Sequence, residues 1–504
     1  MGCWIRYIAP KVVRASPISC AAVYSARKSL VLLYFVLGFP KRIVGSSLSL
    51  WKKVFGSSTN GTHCFTKTTI MKVLVALCAL IFLTGCPRPV PLDHIVSSDV
   101  DHFWVAYDRI TATTDTAEQR RLLQTYYFDK GTPGLAALRE ARRYTADDYL
   151  QAIRQYPKYW ADMRERTGRI PQKAREIQIA IEQFQSLYPK YRPATVYFAI
   201  GAFRTNGTAM DSMVLIGTEM AMADSLVDVT QLPDDLQYVK DYLQTNPGEH
   251  LPFLMVHEYV HTQQSARGGF DLLSQAVFEG TAEFIAELAT GRVSPTPAID
   301  YGRKNEALVK ARFAEEMFSP FFYRWIWNNT QNEFGMRDLG YYVGYAIARK
   351  VYEAADDKQA AVARMIELEY NDPEDIEWFV EESGYFDQPL LTYKAAFREQ
   401  RPSVTRVEPV LNDRENIDPD LSSFTVYFSE PLDTRFWSTG YGEGRDETFP
   451  EIREVRFAED GRSVTYEVDL EPGRIYDFVI NYGYRNERAI PLYPYPIRFK
   501  TRSE

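Results

Sequence analysis

His257-Glu258-Tyr259-Val260-His261 decides how this 504-residue chain is read. On an α-helix, residues four apart share a face, so the two imidazoles reach one point. Glu258 is turned about 100° away from His257. Its carboxylate therefore stands beside whatever the imidazoles hold, not on it. Two imidazoles one turn apart suit a zinc ion, and a neighbouring carboxylate can act on a zinc-bound water. The flanks suit a helix: Pro252 fits a first turn, and Leu254, Met255 and Val256 are apolar. Gly268-Gly269 is the predicted stop.

A zinc site of this kind needs a third protein ligand and leaves a position for water. Glu279-Gly280-Thr281-Ala282-Glu283 supplies it, on a second helix predicted from Asp271 to Leu288 and stopped by Gly291. Glu279 lies 18 residues past His261, and Glu283 follows one turn later on the same face. One carboxylate can bind the metal while the other accepts the ring N–H of a ligand histidine. Val277, Phe278, Ala282 and Phe284 around them predict partial burial.

This pattern resembles the gluzincins, the glutamate-type zinc metallopeptidases. In thermolysin-like members an acid four residues past the third-ligand glutamate orients the first histidine, as Glu283 would here. The Glu-Gly-x-Ala wording is also similar to the zinc aminopeptidases, with a gap one residue shorter. More closely, the chain resembles a family of predicted zinc-dependent proteases, many of them bacterial lipoproteins and some gliding-motility-lipoprotein-like. Ser98-Asp-Val-Asp-His-Phe-Trp104, the zinc motif with Glu-Gly-x-Ala, and Gly340-Tyr-Tyr-Val-Gly-Tyr345 carry that likeness. The resemblance implies zinc ligands His257, His261 and Glu279, one zinc per chain, Glu258 as general base and Glu283 behind a ligand histidine. It also implies an antiparallel edge strand over the zinc helix, assigned to Met213–Thr218. Thermolysin-like enzymes place a His and a Tyr against the developing oxyanion. No histidine follows His261, so that donor is expected to be Tyr345 or Tyr341, with Arg337 and Arg349 as alternatives.

Charge divides the chain unevenly. Of 58 basic residues, 11 fall in residues 1–85, which hold no acid; the remaining 47 face 66 acidic residues, a net −19. All five cysteines (3, 20, 64, 78 and 86) lie in the first 86 residues, so no cysteine can serve the metal downstream. Met71-Lys72, an apolar run from Val73 to Phe82 and Leu83-Thr-Gly-Cys86 resemble a lipoprotein signal peptide with its lipobox. Translation is expected to start at Met71, with 1–70 an over-extended start or disordered leader and 71–86 the signal. Cys86 is the expected lipidation site, and residues 87–97, with three prolines, a tether.

Helices are predicted from Ser98, over Asp115–Asp129, Thr145–Arg166, Pro171–Tyr188, Arg303–Met317, Leu339–Ala354, Lys358–Glu369, and from Pro373 to Glu382. Thr195–Ile200 and Met213–Thr218 read as strands, with Asn206-Gly207 as a turn between them. Gly340 and Gly344 share a helix face that would let a neighbouring helix come close. Past residue 403 the texture changes to short alternating runs, Ser423–Phe428, Glu454–Phe457, Ser463–Val468, Tyr476–Ile480 and Pro496–Phe499. That is a β-sandwich pattern. The wording Phe428-Ser-Glu-Pro-Leu-Asp433 and Leu-Glu-Pro-Gly-x-x-Tyr at Leu470–Tyr476 is similar to bacterial Ig-like domains.

The expectation is an α+β chain: a mainly helical zincin-like domain with a small antiparallel sheet at 98–403, then an all-β Ig-like sandwich at 404–504. Its expected function is hydrolysis of peptide or protein substrates, after export to the bacterial cell envelope on a lipid anchor, the outer membrane favoured. No nucleic-acid partner is expected. The rival is a lipoprotein that binds partners or aids assembly, with an inactive or structural zinc site.

Overall fold

The computed structural model describes residues 94–265, 268–328 and 332–503, all within one compact unit. The leader, signal peptide, lipobox, Cys86 and most of the tether lie outside the described residues. Among the described residues, no helix is long and apolar enough to cross a membrane. The molecule is mixed α+β: a helical region with one small sheet, followed by a strand-rich C-terminal region.

The first helix, Ser98–Thr111, buries Phe103 and Ala106 and holds Trp104 and Tyr107 against Trp160. Helices at Thr116–Leu123, Pro133–Arg142, Ala146–Gln155, Pro157–Thr167 and Ile170–Leu187 follow. The predicted Thr145–Arg166 helix is two helices, because Pro157 lacks an N–H and opens a new one after Tyr156. Thr145 and Asp148 form the capping box at the start of the first. Pro133–Arg142 was not foreseen; Thr132 caps it and Pro133 opens it.

Four strands make the sheet: β1 (Ile95–Val96), β2 (Thr195–Ala199), β3 (Gly207–Met210) and β4 (Met213–Gly217). Their order is β1-β2-β4-β3. The sheet is mixed, not antiparallel: β1 and β4 both run parallel to β2, and only β3 is antiparallel to β4. β1 also claims the end of the stretch expected as tether. Nor is Met213–Thr218 the edge. Val214, Leu215 and Ile216 are fully buried, the signature of a strand covered on both faces. The edges are β1 and β3, and β3 is joined to β4 by the two-residue turn Asp211-Ser212, with Asp211 at φ 51°.

Behind β3, Glu219 is fully buried and fixes the loop leading into that strand. Its carboxylate accepts N–H bonds from Gly201 (2.8 Å) and Phe203 (3.1 Å). Burial raises its pKa to about 7, against the pull of those two N–H groups. The folded protein thus holds this proton where the unfolded chain has lost it. The associated stability is full below the unfolded value near 4.5 and falls as pH rises through about 7, by about 3 kcal/mol. Denaturant midpoints at pH 5 and pH 8 should therefore differ less in Glu219→Gln than in wild type. An identical pH dependence in both proteins would remove this role from Glu219.

Three helices frame the centre. The histidine helix is Leu251–His261, the glutamate helix Leu272–Thr290, and the tyrosine helix Leu339–Ala354. Asp271 caps the glutamate helix through Ser274 N, and Gly291 ends it at φ 65°. The histidine helix stops at His261, well before Gly268. Thr262 Oγ1 bonds back to Tyr259 O, and the Gln263 side chain fastens the departing chain to the Arg192 backbone. Gly344 and Gly280 face each other across the glutamate and tyrosine helices. Gly340 instead abuts Ile326 and Trp325 of the loop before the tyrosine helix.

The predicted Arg303–Met317 helix is also split, into Pro297–Lys304 and Glu306–Glu316 at Asn305. Lys358–Ile366 ends three residues short of Glu369, Pro373–Ser383 stops at Gly384, and Leu390–Glu399 is an added helix.

The C-terminal region holds β5 (Val404–Glu408), β6 (Arg414–Ile417), β7 (Ser423–Phe428), β8 (Thr439–Tyr441), β9 (Glu451–Phe457), β10 (Ser463–Asp469), β11 (Ile475–Ile480) and β12 (Tyr495–Thr501). They form two four-stranded sheets, β5-β7-β10-β9 and β6-β12-β11-β8. Alternation sends Phe424, Val426 and Phe428 inward from one sheet and Phe478, Ile480, Ile497 and Phe499 from the other, into one shared core. The region is fastened to the helices by Tyr493 N bonding Pro402 O (2.8 Å) and by Arg485 stacked against Phe321 and Phe436.

Candidate metal centre

Three atoms converge between the histidine and glutamate helices. His257 Nε2 and His261 Nε2 are 3.1 Å apart, and Glu279 Oε2 lies 3.2 Å from His261 Nε2 and 3.4 Å from His257 Nε2. Ligands about 2.0–2.1 Å from a tetrahedral zinc stand about 3.3 Å from one another. The three residues therefore fit the ion, and they form a group able to hold a metal. His257 and Glu279 are buried, 7% and 5% exposed, and His261 is half-buried.

The far nitrogens of both rings are engaged as well. His261 Nδ1 lies 2.7 Å from Gln264 Oε1. The Gln264 amide can be oriented only one way, because its Nε2 donates to Phe278 O (3.2 Å), a pure acceptor, and to Tyr370 Oη (3.0 Å). Its Oε1 must then accept from His261, which fixes the proton on Nδ1 and leaves the Nε2 lone pair free for a metal. His257 Nδ1 lies 3.0 Å from Glu283 Oε2. That approach is bent, leaving Nδ1 without a linear hydrogen bond, and acts as a close charge contact. Glu283 is held in turn by Ser294 Oγ. Phe278 stacks on the His261 ring at 4.5 Å.

Glu283 thus stands where the spacing put it. Gln264 was missed, because its reach depends on the chain leaving the helix at Thr262. Its signal is a glutamine one turn past the second histidine. Gln264→Ala frees the His261 ring, and metal affinity should fall by about 10–100-fold. Competition with a chromophoric chelator measures it. Unchanged affinity would mean the ring is fixed by Phe278 alone.

Burial opposes ionisation of Glu279, but the two imidazoles overcome it and hold the carboxyl well below its usual range. Burial likewise opposes charging His257, and Glu279 and Glu283 reverse it, raising its pKa well above the ordinary imidazole value. A metal ion displaces the proton so held, so binding strengthens as pH rises.

Glu258 lies outside the triangle, 7% exposed, with its carboxylate against β3. A Cβ on Gly207 would stand 2.8 Å from Glu258 Oε1 and 2.9 Å from its Cγ, so the strand can pass there only without a side chain. Burial raises the Glu258 pKa, and both imidazoles oppose the rise.

The tyrosines part company. Tyr341 stacks on the His257 ring at 6.1 Å, and its hydroxyl accepts from Trp327 Nε1 (3.0 Å). Burial and Glu279 raise its pKa well above 10, so it keeps its proton to donate. Tyr345 is 1% exposed, and its hydroxyl donates to Glu287 (2.7 Å) while accepting from Arg303. That commitment removes Tyr345 from the centre. Arg349 is paired with Glu353 at the surface. Arg337 is bonded to Asp338 (2.7 Å) at the start of the tyrosine helix.

No protein-family model and no curated protein matches the chain. Among solved structures it is similar to surface layer protein SbsC, domains 1–6, at 14% identity and TM-score 0.16, over 65% of this chain and 45% of that one. It is similar too to the N-terminal part of the bacterial S-layer protein SbsC, at 14% identity and TM-score 0.16, over 65% and 78%. The chain thus spans just under half the length of the first, and likenesses this slight carry no argument about fold or activity.

Proposed function

We propose that residues 98–403 are a zincin-like metallopeptidase of the gluzincin type, carried on a lipid anchor at Cys86 in the bacterial cell envelope and followed by an Ig-like sandwich. One observation carries the reading: three ligand atoms at tetrahedral spacing, with a carboxylate beside them that no ligand role needs. A structural zinc site takes four protein ligands, and this group offers three.

His257, His261 and Glu279 hold the ion, and Gln264 and Glu283 keep the two rings turned toward it. Zinc, when bound, supplies a Lewis acid for a carbonyl and for water. Glu258 takes a proton from the attacking water as the new C–O bond forms, then gives it to the amine nitrogen as the C–N bond breaks. The Tyr341 hydroxyl donates to the carbonyl oxygen as charge builds there. An extended peptide can pair with the β3 edge at Ala209, two residues from Gly207 and the Glu258 carboxylate against it.

A digest of a broad peptide library by the purified, zinc-loaded protein tests the reading. Cleavage abolished by a chelator and restored by zinc is expected. A library left intact by the zinc-bound protein would leave the partner-binding alternative.

A further inference from the structure

The open edge of β3 is not open along its whole length. Gly217 N donates to Asn206 O (3.0 Å), which sets the alternation: residues 206, 208 and 210 bond to β4. Gly207 and Ala209 therefore turn their N–H and C=O outward. At Gly207 both are taken. Asn206 Oδ1 accepts its N–H (2.9 Å), and its C=O accepts from Thr205 Oγ1 (2.5 Å) and Arg142 Nη2 (3.5 Å). Among the described residues, nothing takes those of Ala209.

Arg142 ends the helix Pro133–Arg142 and brings a cation to the closed end of that edge. Among the described residues no carboxylate lies within ion-pair distance of it, and its Nε is buried without an acceptor. Neighbouring Arg204, by contrast, is satisfied by Asp148 (2.7 Å) and two carbonyls. The same Gly207 packs against Glu258, whose Oε1 lies 2.8 Å from where a Cβ would stand.

These placements give the edge a direction. An antiparallel strand lets one residue exchange both bonds with Ala209. Such a peptide runs from Met210 toward Gly207. Its amino-terminal part pairs at Ala209, the bond to be cut lies by Glu258, and the carboxyl-terminal part meets the filled Gly207 edge and the guanidinium. We propose that Arg142 receives the C-terminal carboxylate of the substrate, so that the site trims peptides from the carboxyl end. This rests on the metallopeptidase reading and adds the substrate class: peptides with a free α-carboxylate.

The test compares N-acetylated decapeptides of identical sequence, one set as free acids and one as C-terminal amides, digested by the full zinc-loaded chain and followed by mass spectrometry. The acids should lose C-terminal residues with kcat/KM about 30-fold or more above the amides, the worth of one charge-assisted contact. In Arg142→Gln that preference should collapse toward one, while Arg142→Lys keeps part of it. If Arg142 merely supported Gly207, its loss would slow acids and amides alike and leave the ratio intact. Amides cut as fast as acids by wild type, or an unchanged ratio in Arg142→Gln, would overturn the proposal alone. If neither set is cut while zinc is bound, the metallopeptidase reading fails and takes this one with it.

Discussion

Glu258→Gln should lower peptide hydrolysis at least about 100-fold while zinc stays bound. The carboxylate lies against Gly207 and outside the His257–His261–Glu279 triangle, so an amide of the same shape fits without disturbing the ligands. What it loses is the ability to accept a proton from water and return it to the leaving amine. General acid–base groups contribute about 10²–10⁴-fold, and this residue would do both jobs. Glu279→Gln is the contrasting variant, since it weakens metal binding and activity together. Steady-state kinetics with metal analysis on the same samples separates the two. Activity retained in Glu258→Gln would assign proton transfer to another group.

Gly344→Ala should be the most damaging change of a single methyl group. A Cβ there collides with the Ala276 carbonyl of the glutamate helix, and a Cβ on Gly280 meets the backbone of Gly344 and Tyr345. Backbone against backbone cannot be relieved by a rotamer, so the helices must separate. Overpacking costs about 1–3 kcal/mol, and a backbone clash puts this change at the upper end. Because Glu279 adjoins Gly280, separation also draws the third ligand from the histidines. A lower denaturant midpoint and weaker zinc binding should appear together. Loss of stability with zinc affinity intact would show that the contact does not position Glu279.

That same contact explains what the sequence left open at the centre. Tyr341 and Tyr345 lie one turn apart on the tyrosine helix. They share a face, so spacing alone does not say which level along the helix axis meets the metal. Where the helix sits along its axis is fixed by Gly344 seated against Ala276 and Gly280, which sets Tyr345 at the level of Glu287 and Arg303 and Tyr341 over His257. By contrast, His257, His261, Glu279 and Glu283 were legible because each pair sits four residues apart on a helix, where spacing alone fixes the face.

The strands divide in a similar way. Ser423–Phe428 matches its predicted bounds, because strict alternation against a shared core leaves little freedom in register. β3 was unreadable. Gly207-Thr-Ala-Met210 has little β-propensity, and it is a strand only because β4 and a two-residue turn make it one. The edge assigned to Met213–Thr218 belonged one hairpin arm earlier. Its apolar run, read alone, described a buried strand.

Metal content tests the central claim most directly. Wild-type protein, purified without added metal and dialysed, should carry one zinc per chain by mass spectrometry of the digested sample. His261→Ala should carry almost none, at a fold content by circular dichroism equal to wild type. A wild type free of zinc that also fails to take it up, or a His261→Ala variant with its zinc unchanged, would contradict the centre described for His257, His261 and Glu279.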